Sequence, residues 1–172
     1  KELNIIAQDI GAYGKDTGKH NLVDLLKELV KIKEITWIRL LYMYPDNITE
    51  ELITLISEEK KICNYIDIPM QHVSDKILKL MGRKGRKKDL QKLITTLKQR
   101  IPNIVIRSTF IIGFPSETED DFNELLTFVK ENNLDRVGFF AYSKEQGTKA
   151  AKIKEQISEE VKKERLTIIS EK

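Results

Sequence analysis

The sequence predicts an α/β fold built on parallel strands. Three observations lead there. Short apolar, strand-like runs alternate with helical patterns about five times, at spacings of roughly 30 to 40 residues. At 172 residues, with 40% apolar and 33% charged residues, the chain has the size and balance of one soluble domain with a core. A single cysteine, Cys63, excludes an internal disulfide and points to a reducing, cytoplasmic setting.

The first strand is Leu3 to Ala7, running out into polar Gln8-Asp9. Asp9 to Gly18 holds three glycines and reads as a loop. Leu22, Leu25, Leu26, Leu29 and Val30 recur at helical spacing and predict a helix over 21–34. Thr36 to Tyr42 forms the second strand, closed by Pro45. Asn47 with Glu50 has capping-box spacing and opens a helix over roughly 48–61. Tyr65 to Pro69 is a short third strand stopped by its proline. Ser74 opens a short helix to about Met81, the basic run Gly82 to Lys88 breaks it, and a long helix follows from Asp89 to Arg100. Val105 to Ile112 is the most β-like stretch and ends in Gly113-Phe114-Pro115. Thr118 caps a helix to Asn132 whose first turn holds Glu119, Asp120 and Asp121, charges that suit the helix dipole. Arg136 to Tyr142 is the last strand, and a highly charged helix capped by Ser158 closes the chain.

This alternation alone does not choose between an open doubly wound sheet and a barrel. No Rossmann fingerprint follows the first strand, since Gly11-Ala12-Tyr13-Gly14 has the wrong spacing, and no P-loop is present. A net charge of +3 with interspersed signs is too mild to argue for nucleic acid by field alone, and DNA is not expected as a partner. Apolar runs are only a few residues long, so neither a transmembrane helix nor a membrane partner is expected. One cysteine and two distant histidines, His20 and His72, cannot make a structural zinc site or hold a cluster by cysteine alone. The opening Lys1-Glu2-Leu3 leads straight into a strand rather than a signal peptide, and reads as a piece of something longer.

Ligand sites of parallel α/β proteins lie at the carboxyl ends of the strands. Those ends carry Gln8-Asp9, Tyr42 to Tyr44, Gln71-His72, Gly113-Phe114-Pro115 and Tyr142-Ser143. Asp67 and Arg107 are polar residues inside apolar strands, costly to bury unless partnered. An ion pair between them without a ligand is the plain alternative. His72 reads as a cap or satisfied loop residue, Cys63, Trp37, Phe139 and Phe140 as core, and 82–88 as a solvated loop.

Several strings together resemble one family. Ile111-Ile112-Gly113-Phe114-Pro115-Ser116-Glu117-Thr118 is similar to the IxGFPGET signature of radical-SAM methylthiotransferases. Trp37 to Tyr42 with Tyr44-Pro45, Tyr65 to His72, Ala7-Gln8-Asp9, and Val137 to Ser143 followed by Glu145 and Gly147-Thr148 resemble the branch called RimO. The likeness covers nearly all 172 residues. It implies a partial, TIM-like (β/α)₆ radical-SAM barrel of which this chain holds strands two to six. Residues 1–156 would be the barrel lacking its first strand and cluster loop, and 157–172 a helix connecting to a TRAM domain. The implied parent enzyme adds a methylthio group to the β-carbon of an aspartate in a small-subunit ribosomal protein, with S-adenosylmethionine, two 4Fe–4S clusters and a reductant protein. The cysteine ligands of both clusters are absent here, so the chain alone is expected to be inactive.

The same resemblance implies cofactor-binding roles. Gln8 would meet the methionine amino group, Asp67 and Gln71 the ribose or methionine portion, and Arg107 the methionine carboxylate. Ile111 and Gly113 would line the adenine, with room for the ring where residue 113 lacks a side chain, and Phe140 or Tyr142 would stack near it. Ser116 stands where the family usually has glycine, which costs energy only at positive φ. Two alternatives stay open. One is a tRNA adenosine methylthiotransferase, against which Gln8-Asp9 and Gln71-His72 argue. The other is a non-catalytic α/β module binding protein or RNA through 82–88.

Overall fold

The structure, a computed structural model, describes residues 1–171. Five strands, β1 (Glu2–Ile6), β2 (Trp37–Leu41), β3 (Ile62–Gln71), β4 (Val105–Ile112) and β5 (Arg136–Ala141), form one parallel sheet in the order β1-β2-β3-β4-β5. A doubly wound sheet reverses its strand order at a switch point. This order has no reversal, so the sheet is that of a partial TIM-like barrel. The helices are α1 (Leu22–Leu29), α2 (Glu50–Glu58), α3 (Asp75–Leu80), α4 (Lys87–Arg100), α5 (Glu119–Asn132) and α6 (Glu159–Ser170).

The chain divides into two compact units. The first holds Lys1–Pro69 and Lys92–Arg107, the second Met70–Gln91 and Ser108–Lys172. In the first unit, β1 and β2 pair in register from Glu2↔Trp37 to Ile6↔Leu41, and β2 pairs with β3 through Ile38↔Ile62 and Leu40↔Ile66 with an irregularity between. Ile38, Leu40, Ile66 and Ile68 are buried with Leu26, Leu52, Ile53 and Ile56 of the helices. In the second, Phe110 and Ile112 are buried, as are Phe122, Leu125 and Phe128 along one side of α5.

Several element ends differ from the sequence reading. The helix expected over 21–34 stops at Leu29, because Lys61 Nζ takes the carbonyls of Val30 (2.8 Å) and Ile32 (2.7 Å) out of the helical pattern. Asn21 and Asp24 form a reciprocal capping box at its start. The expected Asn47 cap moves to Thr49, whose side chain accepts the N–H of Leu52, while Asn47 is occupied by Asp9 and Lys15. Pro69 does not stop β3, which continues to Gln71. Trp37 and Phe140 are exposed, not core, at 55% and 57%.

The three central strands end alike. Tyr42 (φ 67°) follows β2, Gln71 (φ 69°) closes β3 and Gly113 (φ 71°) follows β4. Each is left-handed, a conformation that only glycine adopts without strain.

Candidate functional site

In the first unit one sheet face sets charged residues beside exposed apolar ones, Ile6 and Trp37 among them. The register sets Glu2 and Asn4 beside Trp37 and Arg39. Arg39 Nε donates to Glu2 (2.7 Å), and its guanidinium lies 5.0 Å over the Tyr65 ring. That Glu2 bond is the main reason the Arg39 guanidinium is held further towards its charged form. On the neighbouring strands, Arg107 Nη1 donates to Asp67 Oδ2 at 2.6 Å. The expected ion pair therefore exists, and it does not use up either partner. Asp67 Oδ1 is buried with no hydrogen-bond partner among the described residues. Arg107 is 38% exposed, and its other guanidinium N–H groups have no partner there either. An orphaned buried carboxylate oxygen is unusual. It is an acceptor that a hydroxyl or ammonium group would satisfy.

Gln8 is exposed beyond the end of β1, with no partner among the described residues. Asp9 beside it is structural. It accepts the N–H groups of Gly11 and Tyr44, each at 3.1 Å, and the Asn47 side chain, and so ties the loop after β1 to the end of β2.

In the second unit the Gly113–Thr118 turn is built around Glu117. Its side chain is fully buried, yet Oε2 accepts the Gly113 N–H (2.9 Å) and Oε1 pairs with Arg165 of α6 (2.6 Å). His72 Nδ1 accepts the Ser74 N–H (3.0 Å), which leaves Nε2 as the protonated nitrogen, 3.4 Å from Glu117. His72 is thus satisfied at Nδ1 only, since Nε2 is buried with no hydrogen-bond partner among the described residues. The space a side chain at 113 would occupy is taken by Lys162, whose Cγ would lie 2.4 Å from a Cβ. Packing and a positive φ thus both require the glycine, and only its backbone is left to meet a ligand. Ser116 sits at φ 69°, so serine there is strained where glycine would not be.

Tyr142 donates its backbone N–H to Ile112 (2.8 Å). Its ring meets the Phe114 edge at 5.3 Å and Lys162 Nζ at 5.3 Å, and its hydroxyl is buried with no hydrogen-bond partner among the described residues. Phe140 has the more open ring. Ile111 and Gln71 are half-buried.

Sequence reasoning missed Glu117, Lys162, Arg165 and Arg39 as site-building residues. Arg39 carries the signal used for Arg107, a charge inside an apolar strand. Lys162 and Arg165 sit in a charged helix that shows no such contrast.

These residues fit an adenosylmethionine-like ligand in part: Asp67 Oδ1 and the Arg107 donors match hydroxyl, ammonium and carboxylate groups. They do not fit an iron–sulfur cluster. No group of three or more His, Cys, Asp or Glu placed to hold a metal exists among the described residues. Burial pushes the Cys63 thiol up, away from the thiolate a metal requires.

The fold belongs to a known class. Residues 9–129 match the Radical SAM superfamily, and the chain belongs to it. Among curated proteins, it is 53% identical over 96% of its length to the ribosomal protein uS12 methylthiotransferase RimO of Citrifermentans bemidjiense, and 56% identical to that of Clostridium botulinum, again over 96%. It spans 37% of the length of each. Solved structures support the fold. Coproporphyrinogen III oxidase of Escherichia coli, a radical SAM enzyme, superposes with a TM-score of 0.66 at 21% identity, over 86% of this chain and 34% of that one. Archaeal Elp3 of Methanocaldococcus infernus does so with a TM-score of 0.70 at 17% identity, over 98% and 44%. No described helix is long and apolar enough to cross a membrane.

Proposed function

We propose that this chain is the barrel portion of a cytoplasmic enzyme that adds a methylthio group to the β-carbon of an aspartate in ribosomal protein uS12. The observation that carries this reading is the 50–56% identity, over 94–96% of the chain, to proteins named for that activity. The tRNA-modifying alternative and the non-catalytic module lack comparable support. Asp67 and Arg107 would hold adenosylmethionine, which would supply the radical chemistry of this class together with an iron–sulfur cluster that this chain's residues do not hold. A second cluster, outside this chain, would take part in sulfur delivery.

This chain's own residues bind and orient. In the first unit Arg107, steered by Asp67, would clamp a carboxylate. Asp67 Oδ1 would accept from a hydroxyl or ammonium, and Gln8 would reach the amino group. In the second, Gln71 would contribute a polar contact, Ile111 and the Gly113 backbone would border the adenine, and Phe140 would stack on it, the Tyr142 ring being already engaged.

The test is mass spectrometry of uS12 from cells in which the gene carrying this sequence is disrupted. The aspartate is expected to lose its methylthio group and regain it on complementation. Unchanged uS12 together with loss of methylthio-adenosine from tRNA would overturn the reading in favour of the tRNA branch. Calorimetry of the complete enzyme tests the site: Arg107→Met is expected to weaken adenosylmethionine binding about 10- to 100-fold, the loss of a charged hydrogen bond.

A further inference from the structure

Charge is not spread evenly over this molecule. Between Asp75 and Lys88 stand seven cations, Lys76, Lys79, Arg83, Lys84, Arg86, Lys87 and Lys88, against one carboxylate. The chain as a whole is only +3, so the remainder is net acidic by three charges. The segment runs through α3, a loop broken by Gly82 and Gly85, and the start of α4. Part of its charge is used internally: Lys76 pairs with Asp121 at 2.5 Å and Lys87 with Glu124 at 3.2 Å. Lys79, Lys84, Arg86 and Lys88 are exposed and have no partner for their charged groups among the described residues. Beside them lies an open cavity of about 600 Å³ whose lining brings together Lys76, Arg86, Lys87 and Lys88 with the carboxylates Asp75 and Glu124.

We propose that this surface docks the phosphate backbone of RNA. Two absences favour RNA over a protein partner. The segment has no aromatic residue, and its one large exposed apolar side chain is Leu80, whereas protein interfaces need buried aromatic or aliphatic anchors. With no ring to stack on a base, the contact is to phosphate and indifferent to sequence. The assignment does not depend on which substrate the enzyme modifies.

Fluorescence anisotropy of the chain with a labelled RNA hairpin tests it. Four phosphate contacts predict that raising salt from 50 to 200 mM weakens binding by about 50-fold or more. Replacing Lys79, Lys84, Arg86 and Lys88 together by Gln is expected to weaken binding at least about tenfold at 50 mM salt and to remove most of the salt dependence. A control variant with Lys33, Lys144, Lys149 and Lys163 replaced by Gln carries the same charge change elsewhere and is expected to stay within about threefold of the parent. Unchanged circular dichroism and melting temperature certify that both variants fold. Equal weakening in the two variants, RNA binding by the first at parental strength, or tighter binding of an acidic peptide of equal charge than of the hairpin would each overturn the proposal.

Discussion

Replacing Arg165 by Met tests whether the turn after β4 depends on α6. Arg165 is 8% exposed and Glu117 not at all, and they meet at 2.6 Å. Removing one partner of a buried pair strands the other charge and costs about 3–5 kcal/mol. Two observations place the expected loss at the low end. Glu117 keeps the Gly113 N–H at 2.9 Å, and Arg165 Nε is itself buried without a hydrogen bond, a cost that leaves with the side chain. A loss of about 3 kcal/mol follows, or roughly 6–12 °C in Tm for a chain of this size. Glu117→Gln preserves an acceptor for Gly113 but turns amide protons towards Arg165, and is expected to cost about 2–3 kcal/mol. The double variant is expected to cost about 2 kcal/mol less than the two losses added, because each single change already breaks the same pair. Urea unfolding of the four proteins measures the cycle. An Arg165→Met protein within about 1 kcal/mol of the parent, or single effects that add to within about 0.5 kcal/mol, would refute the reasoning.

Ser116→Gly is expected to stabilise by up to about 1 kcal/mol, since relief of a left-handed serine outweighs both the entropy of an added glycine and the exposed 3.2 Å bond to Glu155. Ser116→Val should instead lose about 1–2 kcal/mol, and urea midpoints separate the two. Gly113→Ala is expected to cost at least about 2 kcal/mol by thermal unfolding, because its Cβ would strike the buried stem of Lys162. Asp121 provides a pH signature. Burial opposes its ionisation, but hydrogen bonds from Lys76, Ser74 and Thr118 prevail and hold its carboxyl well below the usual carboxylate range. Its contribution is therefore complete above the ordinary Asp value of about 4 and is lost as pH falls below it. In a series of melting curves, Asp121→Asn should lower stability at neutral pH and flatten the decline below about pH 4. A parental slope in that variant would show that other carboxylates dominate.

The elements were legible because strand and helix periods differ and because caps announce themselves. β4 spans Val105–Ile112 as read, and Thr118 and Ser158 cap α5 and α6 as read. Pairing was legible where a charge interrupts an apolar strand, as at Asp67 and Arg107. What stayed hidden depends on distant partners. α1 ends early because Lys61, 31 residues beyond Val30, takes its carbonyl. Glu117 looks like a motif letter until Arg165, 48 residues away, is placed on it. Gly113 suggests room for a ligand in the sequence, whereas in the fold Lys162 fills that room. Local pattern carries no information about such tertiary choices.

The left-handed exits from β2, β3 and β4 bear on how this scaffold can be engineered. At two of the three the chain carries Tyr42 and Gln71 rather than glycine, and tolerates strain of about 1–2 kcal/mol at each. A search for thermostable variants would flag both as first choices for Gly or Asn. Yet both lie at the carboxyl ends of parallel strands, where side chains meet ligands. The cheapest gains in melting temperature would thus be drawn from the positions where turnover is most at risk, so a stabilisation campaign should leave 42 and 71 alone and begin at Ser116, where the left-handed residue holds no proposed ligand contact.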